Sequence, residues 1–249
     1  MANNATTTWR WAGETSNVWA ASNWLNAAGV TVDDWPTGAL ATHTVKFLGA
    51  DLAGSRCAVG PVAPVALLKI ECDKAYSAEG DPIPVICFAD VTVGTVNAIT
   101  DYTDPSDDSY VTIAGGTVTT ANCYGKSRIQ GGTITTANMY DAATLEGGTI
   151  ASKAVMRAGT PYINVATGLT LTFSEGATID VMTDGIVIGT AAAATGLSFA
   201  VKDADTDPTT IRFMRREATV EMGALTITQG TLRIDSARAY GFGGRGRFP

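Results

Sequence analysis

The chain has 249 residues, a formal net charge of −7, and 16% charged residues against 45% hydrophobic ones. That is enough apolar material for one large all-β unit or two modest domains. A surface so poor in charge and filled with Thr, Ala and Gly suits flat strands packed against neighbours, and argues against a freely diffusing monomeric enzyme. No apolar run approaches the roughly 20 residues of a membrane-spanning helix. The opening MANNATTTWRW lacks the basic start and apolar stretch of a secretory signal, so no membrane association and assembly in a cytoplasm are expected.

In chain order, the first segment stands apart. All five tryptophans, Trp9, Trp11, Trp19, Trp24 and Trp35, fall within residues 9–48. They sit in a set of short signatures: Trp11-Ala12-Gly13, Asn17-Val18-Trp19, Asn23-Trp24, Pro36-Thr37-Gly38 and Val45-Lys46-Phe47. The segment resembles the opening motif found ahead of bacterial and phage β-solenoids, including autotransporter-type passengers. The resemblance implies a capping unit, here residues 1–50. A stack of strands exposes unpaired edges at its end, and such edges invite aggregation unless covered. The tryptophans are then core residues of the cap. The functional alternative is a platform of water-facing rings that stacks on carbohydrate.

Next come the cysteines. Cys57, Cys72 and Cys87 are fifteen residues apart, and Cys123 follows. In a ribbon of about that period the first three stack on one face as small apolar side chains, with a disulfide between neighbours as the alternative. No Cys-x-x-Cys occurs and His43 is the only histidine, which argues against a zinc site. No metal and no cofactor are expected.

LLKIECDKAY, PVICFADVTVGTV and YVTIAGG read as strands, rich in β-branched residues and bounded by turn signals. Between the last two lies the acidic run DYTDPSDDS, Asp101 to Ser109. It reads as a solvated loop, with calcium binding as the sharper alternative.

The clearest signal follows. GGTVTTANCY begins at Gly115 and GGTITTANMY at Gly131, with eight of ten positions identical and a third copy opening at Gly147. A sixteen-residue period is too short for a pair of helices and fits one turn of a ribbon of short strands. A single coil cannot bury its inner face, but stacked coils form one continuous core. The register predicts two core ladders, Val118/Ile134/Ile150 and Cys123/Met139/Val155. It also predicts glycine pairs at corners needing positive φ and a hydrogen-bonded stack of Asn122 on Asn138. The expected fold is an all-β, β-helix-like solenoid of about 16 residues per coil, with its body over residues 51–200. A sheet of short hairpins is the alternative geometry.

Downstream, GLTLTFSEGATIDVMTDGIVIGT repeats the alternation, and TGLSFAVKD, TTIRFMRRE and GALTITQGTLRID follow as further strands. GTAAAATGL is the best helix candidate. DADTDP places Asp203, Asp205 and Asp207 at the spacing of a calcium loop, but Pro208 and Met214 stand where that loop needs glycine and glutamate.

The last segment, 201–249, is basic. Residues 1–210 hold 10 Lys/Arg and 21 Asp/Glu, whereas residues 211–249 hold seven arginines and three acids. An acidic body with a basic end is a polarised object. The terminal GFGGRGRFP is too glycine-rich to hold itself. It is expected to lie extended on a partner, with Tyr240, Phe242 and Phe248 as apolar pegs and Arg238, Arg245 and Arg247 as charge contacts; the alternative is that it folds back on its own solenoid and caps it.

A search for chemistry finds no Gly-x-Ser-x-Gly, Walker loop or His-Glu-x-x-His. Asp101, Asp104, Asp107, Asp108, Glu146, Glu175, Asp180 and Asp184 are available as glycosidase-type acids, but nothing in the sequence pairs two of them. No catalytic residue and no nucleic-acid partner are assigned. The whole is similar to a tailed-bacteriophage virion protein of capsid decoration, or cement, type. That resemblance implies a homotrimer bound to a major capsid protein or another virion protein, located in the virion. The alternative is a receptor-binding tailspike or a glycan-degrading β-helix.

Overall fold

The computed structural model describes residues 8–20, 23–32, 35–77, 84–101, 110–166, 168–174 and 176–182 in full, and beyond them the backbone of six strands within 185–235. The described chain is all-β. Its helical elements are a single turn, Lys74–Ser77, and a 3-10 turn, Gly49–Asp51.

Six long strands pair side by side, in parallel and in chain order: Gly38–Phe47, Val65–Cys72, Val91–Ala98, Thr117–Cys123, Thr133–Tyr140 and Gly148–Ala158. Each is bent, and the burial pattern says where. Val91 and Val93 point into the core, as do Val96 and Ala98, with Gly94 and Thr95 between. Strict alternation would turn Val96 outward, so the chain spends one extra residue on a bend and both halves face the same interior. The same phase slip separates Val118 from Ala121 and Ile134 from Ala137.

The bend divides the sheet into two ladders. After Gly148–Ala158 they separate: its first half pairs with Leu171–Phe173 and its second with Thr178–Val181. The first ladder continues through Ala194–Phe199 and Leu225–Ile227, the second through Thr209–Phe213 and Leu232–Asp235. A third ladder is a separate parallel sheet of Val85–Cys87, Thr112–Ile113, Arg128–Ile129, Thr144–Leu145, Tyr162–Ile163, Gly185–Ile188 and Thr219–Met222. The chain visits the three ladders in turn. Ala194–Phe199 takes in the end of the helix candidate and is a strand; residues 189–193 lie outside the described part.

Inward side chains line up between coils. Leu67, Val93, Val118, Ile134, Ile150 and Phe173 form one column, and Ile113, Ile129, Leu145 and Ile163 another, all buried. Each buried branched or aromatic side chain contributes about 1.5–3 kcal/mol. Cys123 faces Met139, but Met139 then faces Met156, and Val155 lies opposite Asn138. The expected Cys123/Met139/Val155 ladder is therefore corrected to end at Met156. Ala151 and Ser152 together span the place Thr135 fills alone, which moves the register by one.

The spacing is also uneven. Coils of sixteen residues hold only around the repeat, as from Asn122 to Asn138, whereas Asn97 to Asn122 takes 25. Longer connections between ladders absorb the difference. At the corners the second glycine of each pair has positive φ, 90° at Gly116 and 83° at Gly132. A Cβ on Gly132 would lie 2.4 Å from the Gly116 carbonyl oxygen, so both conformation and coil spacing demand glycine.

The tryptophan segment joins the same sheet. Thr8–Trp11 pairs in parallel with Gly38–Phe47 and antiparallel with Trp24–Leu25, which pairs with Thr31–Val32. Trp9, Trp11, Trp19 and Trp24 are buried, and Trp35 packs against the same core. Trp24 meets Trp11 and Trp19 edge-on at 5.0 and 4.7 Å, over Phe47. Asn23 explains its place beside Trp24. Its side-chain oxygen accepts from the Thr15 and Ser16 amides, and its NH2 group donates to Ser16 Oγ and the Val18 carbonyl.

Candidate functional surface

The strands that order the core also order rows of side chains outside it. On the first ladder Thr92, Thr117, Thr133, Thr149 and Thr172 stand opposite one another from coil to coil. Flanked by Gly115, Thr119, Gly131, Thr135, Gly147 and Ala151, the row makes a flat hydroxyl-bearing face with a spacing of about 4.8 Å.

On the second ladder the outer row is Lys46, Glu71, Asn97, Asn122 and Asn138. Asn122 Nδ2 donates to Asn97 Oδ1 and Asn138 Nδ2 to Asn122 Oδ1, both at 2.8 Å. Arg157 Nε closes the series on Asn138 Oδ1, also at 2.8 Å. At the other end Glu71 bridges Lys46 at 3.1 Å and Lys69 at 3.0 Å. Burial pushes the Glu71 carboxyl up, but the two lysines outweigh it and hold the group below its ordinary range.

Beside the amides, Tyr124 and Tyr140 stack at 4.2 Å with 14° between ring planes. Burial raises the Tyr124 hydroxyl, and its hydrogen bond to Tyr140 adds to that. The following corner takes positive φ in three successive coils: 60° at Gly125, 56° at Asp141 and 66° at Gly159. Burial raises the Asp141 carboxyl, and the Gly125 amide offsets only part of the shift.

On the third ladder Glu146 is buried. Its Oε2 accepts from Gln130 at 2.8 Å, and Arg128 lies 3.6 Å from Oε1 and over the Tyr110 ring. Of the other candidate acids, Asp101 accepts the Lys74 amide, and Asp180 is buried on Thr178–Val181 opposite Val155. Asp104, Asp107, Asp108, Glu175 and Asp184 lie outside the described residues. Asp101, Glu146 and Asp180 thus sit on different elements, each with its own structural contacts. Among the described residues no three His, Cys, Asp or Glu side chains gather as a metal site. The run 203–207 and most of the run 101–109 lie outside them.

All four cysteines are free and buried. They do not form the expected stack: Cys72 faces Phe47 on the second ladder, and Cys87 pairs with Ile113 on the third. Burial pushes the Cys87 and Cys123 thiols up to about 12 and raises Cys57 and Cys72 as well, so all four stay protonated and poorly nucleophilic. The four buried tryptophans offer no ring face to water, which removes them as a carbohydrate platform.

The sequence singles out Asn122 and Asn138 but not the arginine that ends their row, nor the Tyr124/Tyr140 stack, although those tyrosines also recur after sixteen residues. The anchor residues Arg238, Tyr240, Phe242, Arg245, Arg247 and Phe248 lie outside the described part. Comparison with protein-family models, with curated proteins and with solved structures finds no match to this chain.

Proposed function

We propose that this chain is a structural virion protein, a decoration or cement component of a tailed-phage head, and that its three ladders close into a β-helix. The observation that supports the reading best is the exterior of the stacked coils. Threonine and asparagine recur in register over a continuous core, forming stiff faces with little charge. Such faces suit close contact with neighbouring protein more than catalysis. The carboxylates point the same way: Glu71 and Glu146 serve as struts between coils. The partner is a major capsid protein or another virion protein, and the chain acts as a homotrimer. Its basic end, with seven arginines against three acids, is the anchor on that partner.

The experiment compares particles assembled with the full chain and with a chain lacking residues 239–249, imaged by electron cryomicroscopy. The proposal expects coil-shaped density on the head that the truncated, folded protein no longer supplies. Full occupancy by the truncated chain rules out the anchor. Particles carrying none of the full chain, or cleavage of host surface polysaccharide by the purified protein, rule out the decoration role.

A further inference from the structure

The row of outer side chains ends abruptly after Tyr140. One face of its ring is covered by Tyr124 at 4.2 Å. On the next coil the residue opposite Tyr140 is Ala158, which is exposed. A methyl group cannot cover a phenol ring, and among the described residues no second ring stacks on Tyr140, which is half-buried. The bulge that pairs Met139 with Met156 and Tyr140 with Ala158 leaves Arg157 as the extra residue. Arg157 is exposed, and its Nε is committed to Asn138. A guanidinium has five N–H donors, and among the described residues Arg157 uses only that one. Asn138 is buried, and its side-chain oxygen holds the Arg157 guanidinium in place. Further back on the same strand, Lys153 has no ion-pair partner among the described residues.

We propose that the surface formed by Tyr140, Ala158 and Arg157 is a binding subsite for a carboxylate-bearing sugar unit of a glycan. The apolar C–H face of a pyranose ring lies on the face of Tyr140 away from Tyr124 and above Ala158, a contact that needs one flat ring and a small neighbour. The sugar carboxylate takes the free fork of Arg157, a planar donor pair that matches it. A glycan continuing along the strand meets Lys153 about 13 Å away. The ring face admits one ring, which favours a single sugar unit over a single-stranded nucleic acid, whose successive bases need a series of stacking platforms. The subsite holds whether or not the chain decorates a capsid, because it uses only the described coils.

The test titrates the full chain with trigalacturonate, with maltotriose as the neutral control and single-stranded oligothymidylate as the polyanion control, by saturation-transfer NMR and calorimetry. Trigalacturonate is expected to bind, and maltotriose at least about tenfold more weakly, the loss of one charge-assisted contact. Arg157→Gln is expected to erase that preference. Tyr140→Ala is expected to abolish both interactions. Tyr140→Phe keeps the ring and is expected to retain both, which separates lost stacking from lost folding. The proposal is overturned if neither sugar binds, if both bind equally, if Arg157→Gln leaves the preference intact, or if oligothymidylate binds more tightly than trigalacturonate.

Discussion

The side chain of Asn138 is held from both sides: it donates to Asn122 and accepts from Arg157, each at 2.8 Å. The row therefore has a direction. Each amide gives a proton to the coil before it and receives one from the coil after it. Removing an inner member strands a donor and an acceptor together. Asn138→Ala is expected to destabilise the chain by about 1–3 kcal/mol. Asn97→Ala, at the start of the row, loses one acceptor and is expected to cost less. The double change at Asn122 and Asn138 should cost less than the sum of the single ones, because they share a bond. Urea unfolding of the four proteins checks all three statements.

The corner glycines separate backbone conformation from packing. Gly132 has φ of 83° and no room for a Cβ, whereas Gly38 has φ of 69° and open space around it. Gly38→Ala is expected to cost only the left-handed conformation, about 1–2 kcal/mol. Gly132→Ala must also push one coil off its neighbour, and the expected loss in thermal stability is clearly larger. Equal losses would mean that the coils are not in contact at that corner.

Asp141 holds the left-handed corner that Gly125 and Gly159 hold in adjacent coils. Burial raises its pKa, so ionisation weighs against the folded state. Below the unfolded value of about 3.9 both states carry the proton and the penalty is absent. It develops as pH rises through the folded value and is complete at neutral pH. Asp141→Asn removes the charge and tolerates positive φ. The substitution is expected to raise the melting temperature at pH 7 and to leave it nearly unchanged at pH 3. A gain of the same size at both pH values would contradict the charge argument.

The legible part of this fold is the part with a repeat. Val118, Ile134 and Ile150 could be aligned from their spacing because nothing interrupts the register between them. The alignment of Val155 with Met139 failed because one extra residue at Ala151–Ser152 leaves no mark in composition; a bulge shows only in the pairing. The coils upstream of Gly115 were recognisable as strands but not as coils, since connections of variable length hide their period. Asn23 looked like part of a signature, yet its function as a hub for the Thr15, Ser16 and Val18 backbone needs the folded turn. Among the surface features, the asparagine row was visible in sequence. Arg157 was not, because it reaches the row from outside the repeat.

The stacking of coils in one register is the claim on which the faces, rows and subsite all depend. Paired cysteines in the outer threonine row test it, and the four native thiols are buried. Thr117 and Thr133 are direct partners in adjacent coils, where Cα atoms lie about 5 Å apart, within reach of a disulfide. Thr117 and Thr149 are two coils apart, at about 10 Å and out of reach. Under mild oxidation, Thr117→Cys/Thr133→Cys is predicted to close a disulfide in the folded protein while Thr117→Cys/Thr149→Cys stays reduced; an open first pair or a closed second pair would contradict the account.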